Sequence, residues 1–103
     1  MTFLVEILLP LNDAEGNPLP APLYEELAQN LTERFGGVTS FSRSPAEGRW
    51  RNRGDTEHDD IIVLEIMTQE LHRPWWSQLR AQLMRSFAQD DIVIRSHKVE
   101  CLT

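Results

Sequence analysis

Residues 61–67 read Ile-Ile-Val-Leu-Glu-Ile-Met, and this run is the strongest strand signal in the chain. Its branched apolar side chains favour a strand, because they pack well on a pleated surface. Side chains alternate between the two faces of a strand, so Ile62, Leu64 and Ile66 share one face. The other face is also apolar, apart from Glu65. The run therefore predicts a central strand that is apolar on both faces.

Three more segments, residues 3–9, 38–43 and 92–102, are also predicted to be strands. Pro10 closes the first of them. A loop rich in proline, glycine and asparagine follows over residues 11–22, because these residue types favour turns. Together with the central run, these segments predict a sheet of four strands.

Two amphipathic helices are predicted between the strands. The first begins at Pro22, since proline lacks the N–H group that stays unpaired in a first helical turn. Its apolar stripe recurs every four residues, and Gly36-Gly37 ends it because glycine adopts the left-handed cap conformation at little cost. The second helix begins at Pro74. The two stripes are Leu23, Leu27 and Leu31 in the first helix, and Trp76, Leu79, Leu83 and Phe87 in the second.

The predicted order is strand, helix, strand, strand, helix, strand, in one domain over residues 1–103. Right-handed crossovers then favour an α+β fold, the ferredoxin-like β-α-β-β-α-β sandwich. We expect an antiparallel sheet with the strand order 4-1-3-2 and both helices on one of its faces.

Strand alternation predicts that the face opposite the helices is unusually apolar. An antiparallel sheet with one wet face normally alternates between apolar and polar residues. A contiguous apolar patch marks an interface or a pocket. We therefore predict a homodimer formed through this open sheet face, as in dimeric α+β barrels. The apolar residues expected there are Leu4, Leu8, Ile61, Val63, Met67 and Val93.

Four ionisable residues interrupt the same face, and they form the first candidate site: Glu6, Glu65, Arg95 and His97. In the predicted strand order, Glu6 comes within reach of both Glu65 and Arg95. Two carboxylates and a base in a partly dry cleft suit acid–base chemistry, because burial and like charge raise a carboxyl pKa. The alternative is a set of structural ion pairs across the sheet.

A second candidate site combines Arg49 and Trp50, in a stretch where Arg43, Arg51 and Arg53 add positive charge. Guanidinium groups bind carboxylate or phosphate with two hydrogen bonds, and an indole stacks on rings. This pattern predicts a small anionic ligand. The acidic residues around it neutralise the field, so a solvated hairpin is the alternative.

Other functional classes are not favoured by the composition. The formal net charge of −6 argues against nucleic acid and against an anionic membrane surface. We predict no metal site, because His58-Asp59-Asp60 lacks a second cluster at a recognised spacing, and no cofactor. The one cysteine, Cys101, is expected to be a small buried residue. With no signal peptide and no apolar run long enough to span a bilayer, a cytoplasmic location is expected.

Residues 35–39, Phe-Gly-Gly-Val-Thr, are followed by Glu-Gly-Arg-Trp at residues 47–50. This pattern resembles an uncharacterised family of short bacterial proteins with a Phe-Gly-Gly-x-Thr and Glu-Gly-x-Trp core. The resemblance implies a ferredoxin-like fold and brings no activity or catalytic residue.

Two functions remain open from the sequence. The first is a homo-oligomeric accessory or interaction module that uses its open sheet face as an interface. The alternative is a small-molecule-binding protein or small enzyme with an acid–base cleft on that face. No motif in the sequence names a reaction.

Overall fold

The structure, a computed structural model, describes residues 1–43 and 61–103, with side chains for residues 1–41 and 61–103. The predicted class is confirmed, since the chain is α+β with two helices and a four-stranded antiparallel sheet. The elements are β1 (Thr2–Pro10), α1 (Ala21–Phe35), β2 (Thr39–Arg43), β3 (Ile61–Thr68), α2 (Arg73–Ser86) and β4 (Val93–Val99).

The strands lie in the order β2-β3-β1-β4, which is the order 4-1-3-2 counted from the opposite edge. Every neighbouring pair is antiparallel, and β1 and β3 are the two central strands. Ile7 faces Leu64 on one side and Ile94 on the other. This register brings the apolar positions of three strands onto one face.

The core lies between that face and the two helices. Val5, Ile7 and Leu9 of β1 are buried there. Phe3, which alternation assigns to the same face, is only partly buried. The other buried members of the core are Leu27, Leu31, Leu64, Ile66, Trp76, Leu83, Phe87 and Ile92. The predicted helix stripes and strand faces therefore meet in one apolar layer.

Ring contacts join α1 to α2 and to Phe87, the residue that follows α2. Phe35 stacks on Trp76 with ring centroids 5.4 Å apart, and Tyr24 meets Phe87 edge to face at 5.2 Å. The Tyr24 hydroxyl donates a hydrogen bond to the carbonyl of Pro10, and burial raises the pKa of that phenol. Neither helix of the described chain is long and apolar enough to cross a membrane.

The loop between β1 and α1 is fixed by Asp13, at a place where the sequence predicts turn residues. Its carboxylate accepts the backbone N–H groups of Asn17 and Glu15, each at 2.9 Å. These hydrogen bonds, the Asn17 one first, hold the pKa of Asp13 below its usual value.

The prediction for the end of β4 is wrong. The strand ends at Val99 rather than Leu102, because the last register pair joins Val99 to Thr2, the first residue of β1. Beyond that point β1 offers no further residue for pairing. Cys101 follows the end of the strand and is exposed rather than buried.

Gly36 is the position where the end of α1 depends on glycine. It adopts the left-handed conformation with φ of 86°, and its N–H donates to the carbonyl of Thr32 at 2.8 Å. We expect Gly36→Ala to lower the free energy of unfolding by about 1–2 kcal/mol, because a Cβ atom is strained there. Urea denaturation measures the change.

The neighbouring Gly37→Ala is the matched control. Its φ lies outside the left-handed region, and a Cβ atom would meet open space. This variant should keep the stability or raise it by up to about 1 kcal/mol. Equal losses in both variants would contradict the assigned role of Gly36.

Candidate functional site

Four residues form a row across the open face, the side of the sheet opposite the helices. The register aligns Thr39 with Glu65, Glu65 with Glu6, and Glu6 with Arg95. We call these four residues the carboxylate row. The predicted approach of Glu6 to both Glu65 and Arg95 is thus present in the sheet.

Glu6 is buried on this face, with an exposed fraction of only 7%. Its Oε1 accepts a hydrogen bond from Nε of Arg95 at 2.9 Å. Burying a carboxylate without a partner costs several kcal/mol, so Arg95 compensates the charge that the fold places there. The side chain of Arg95 is about half exposed, which leaves its guanidinium open to the surface.

Glu65 lies directly opposite Glu6 and is partly buried. Within residues 1–41 and 61–103, its side chain makes no hydrogen bond or ion pair. Residues directly opposite on antiparallel strands have Cβ atoms about 4.5–5.5 Å apart, and like charges there destabilise the pair. The row therefore holds two carboxylates and one guanidinium, with a formal charge of −1.

Rows that are mainly apolar flank the carboxylate row on both sides. On one side Phe41, Val63, Leu8 and Val93 align across the four strands; on the other, Met67 aligns with Leu4. Val63 is fully buried although it lies on the face without helices. Met67 and Val93 are 57% and 45% exposed. The polar groups of the site thus lie between two apolar strips, one of which is buried at its centre.

His97 is the fourth predicted residue, and it lies outside the carboxylate row. It aligns with Leu4 in the neighbouring row and is exposed. Its side chain has no hydrogen bond or ion pair in the described part of the chain. The structure therefore groups Glu6, Glu65 and Arg95, and leaves His97 at the margin.

Arg49 and Trp50, the second candidate site, lie outside the described residues, as does His58-Asp59-Asp60. Among the residues that are described, no three His, Cys, Asp or Glu side chains are grouped to hold a metal ion.

The sequence did not predict a cleft that opens between α2 and β4. Its floor and rim are formed by Val5, Leu71, Arg73, Trp76, Ser77, Ile94, Arg95 and Ser96. The sequence does contain one signal of this cleft. On the face of β4 that should be apolar, Ile94 is followed by Ser96. A polar residue at such a position indicates that the helix no longer covers the strand.

Charge removal at the two glutamates should have opposite effects on stability. Glu65→Gln should raise the free energy of unfolding by about 0.5 kcal/mol, because it removes repulsion across the strands. Glu6→Gln should lower it by about 1–2 kcal/mol, because it weakens the hydrogen bond to a half-exposed arginine. Urea denaturation at neutral pH measures both. A loss of stability in Glu65→Gln equal to that in Glu6→Gln would show that Glu65 has a favourable partner.

No family model matches the sequence, and no curated protein matches it significantly. The resemblance to the short bacterial family therefore stays a prediction. Among solved structures, the chain is similar to a phage SAM lyase in complex with S-methyl-5'-thioadenosine, at 13% sequence identity and a TM-score of 0.62. The match covers 94% of this chain and 81% of the lyase chain. At this identity the likeness establishes a shared fold.

Proposed function

We propose that this domain binds a small, positively charged molecule at the carboxylate row. The observation that carries the proposal is the carboxylate of Glu65, which has no hydrogen bond or ion pair within the described residues. It lies directly opposite a carboxylate that Arg95 already neutralises. A ligand that brings a positive charge or hydrogen-bond donors to Glu65 would remove the repulsion between the two glutamates.

The surroundings of Glu65 suit a ligand that has both a positive charge and apolar parts. Apolar residues flank it on both sides, and Val63 on the same strand is fully buried. Binding sites for small molecules combine apolar walls with a few polar groups that fix the orientation of the ligand. A cation held between apolar strips is also less screened by water, which strengthens its attraction to the carboxylate.

The similarity to the phage SAM lyase agrees with this proposal. That protein is a lyase of SAM with a nucleoside thioether bound, on an architecture that aligns over most of this chain. SAM carries a positively charged sulfonium centre, which is the kind of group that Glu65 would attract. We also infer that the fold is ferredoxin-like, since the element order and the strand order fit that architecture. Acid–base catalysis by the two glutamates is the enzymatic form of this function.

A thermal-shift experiment tests the ligand class. Within a panel of cationic, neutral and anionic small molecules, each cation should stabilise the protein more than its neutral analogue does. The panel includes SAM and S-adenosylhomocysteine, which lacks the methyl group and the sulfonium charge. Bound ligand raises stability by RT ln(1 + [L]/Kd), so weak binding is visible at high concentration. Glu65→Gln should abolish the shift caused by cations.

Glu25→Gln is the matched control, because it removes the same charge from an exposed position on α1. This variant should respond to the panel as the unmodified protein does. Stabilisation by anions alone, or equal responses of the two variants, would contradict the proposal.

A second candidate function is the homodimer predicted from the sequence. The observation that favours it is the exposure of Met67 and Val93, which lie in the apolar rows on either side of the carboxylate row. A second copy packed sheet against sheet would bury both residues. In packing of this kind, the side chains of the two inner faces interdigitate in a layer about 10 Å thick.

Light scattering coupled to size-exclusion chromatography tests the dimer. The unmodified chain should elute with twice its 11.9 kDa mass. Met67→Glu should shift it to the monomer, because a charge on the open face opposes burial. Leu102→Glu is the control, since it adds the same charge at an exposed apolar residue after the last strand. A monomeric unmodified protein would exclude this interface.

A further inference from the structure

A cleft of about 270 Å³ lies on the helix side of the sheet, between α2 and β4. Its floor is apolar, because Val5 is 1% exposed and Trp76 is 9% exposed, and Leu71 and Ile94 extend the same surface. Its volume is slightly below the roughly 300–1,000 Å³ that is usual for drug-sized ligands. The cleft therefore suits a molecule of one or two rings.

The rim of the cleft is polar, and its one free charge among the described residues is the positive charge of Arg73, in a protein of net charge −6. Arg73, Ser77 and Ser96 are exposed there. Within the described ranges, Arg73 has no ion-pair or hydrogen-bond partner for its side chain, and no residue that lines the cleft is acidic. Arg95 also lines the cleft, but its guanidinium binds Glu6 on the opposite face. Arg73 is thus the cation that remains for a ligand.

We propose that this cleft binds a small aromatic carboxylate. The ring lies against Trp76 and the aliphatic floor, where aromatic and apolar contacts favour it. The carboxylate meets the guanidinium of Arg73, whose planar fork forms two parallel hydrogen bonds to such a group. The hydroxyls of Ser77 and Ser96 supply two more hydrogen-bond donors beside it.

This site is separate from the carboxylate row in position and in charge. The row lies on the open face and holds excess negative charge. The cleft lies on the helix face and holds Arg73, which has no ion-pair partner among residues 1–41 and 61–103. The two sites therefore select ligand groups of opposite sign. A change at Arg73 or at Glu65, each of which belongs to one site alone, should leave binding at the other site in place.

Titration with benzoate, followed by NMR of the ¹⁵N-labelled protein, tests the cleft. Benzoate should cause saturable shifts of the backbone amides of Ser77 and Ser96 and of the indole N–H of Trp76. Benzamide has the same shape without the charge, and it should bind about fivefold more weakly, since an exposed ion pair contributes up to about that factor. This comparison uses the unmodified protein, so it does not depend on the folding of a variant.

Arg73→Gln should weaken benzoate binding by about the same fivefold factor. Arg85→Gln is the matched control, because Arg85 is exposed on the same helix and does not line the cleft. It should leave the affinity unchanged. Glu65→Gln should also leave it unchanged, which separates this test from that of the carboxylate row.

Three results would overturn the proposal. The first is the absence of saturable shifts at Ser77, Ser96 and Trp76 up to the solubility limit of benzoate. The second is equal affinity for benzoate and benzamide, which would show an apolar cleft without preference for an anion. The third is equal weakening by Arg73→Gln and Arg85→Gln, which would show a general effect of net charge.

Discussion

The ion pair between Glu6 and Arg95 is the constraint on which the open face depends. A carboxylate that is 7% exposed needs a charged partner, and β4 supplies it through a hydrogen bond of 2.9 Å. A slip of one residue between β1 and β4 would turn Arg95 toward the helices and leave Glu6 uncompensated. The pair therefore favours the observed register of the edge strand, together with the apolar pattern of β1 and β4. The register between β1 and β3 in turn aligns Glu65 with this compensated carboxylate.

Most of the fold can be predicted from the spacing of apolar residues along each helix and strand. The predictions that failed depend on which residues a neighbouring strand offers for pairing. Buried positions were identified by the alternation in residues 61–67 and by the four-residue spacing of Leu27 and Leu31. Each of these patterns depends only on the geometry of its own strand or helix. The end of β4, in contrast, does not depend only on the geometry of its own strand. The sequence continues with Glu-Cys-Leu, which is compatible with a strand, but pairing stops at Val99 because β1 begins at Thr2. For the same reason the burial predicted for Cys101 was wrong.

The sequence predicted which residues align in the carboxylate row, but it did not predict the contacts of their side chains. Strand order and alternation together place Glu6 between Glu65 and Arg95, since both are properties of the backbone. That Arg95 bonds Glu6 and leaves Glu65 without a partner in the described residues depends on side-chain rotamers, which no sequence pattern encodes. The cleft beside Arg73 depends on how far α2 extends over β4, which is a matter of helix packing. Arg49 and Trp50 lie outside the described residues, so their role stays a prediction.

Both proposed sites depend on the pairing of β1 with β4. Val5 and Glu6 are consecutive residues, so their side chains lie on opposite faces, where one forms the floor of the cleft and the other belongs to the carboxylate row. Arg95 contributes to both sites, because it lines the cleft and its guanidinium binds Glu6. A central strand can place an apolar side chain on one face and a charged one on the other only when both are compensated for the loss of water. Helices α1 and α2 cover the apolar side chains on one face, and the Glu6–Arg95 pair compensates the buried charge on the other. The carboxylate of Glu65 and the guanidinium of Arg73 have no ion-pair partner in the part of the chain that the structure describes. The sheet keeps them on its two sides, where they cannot neutralise each other.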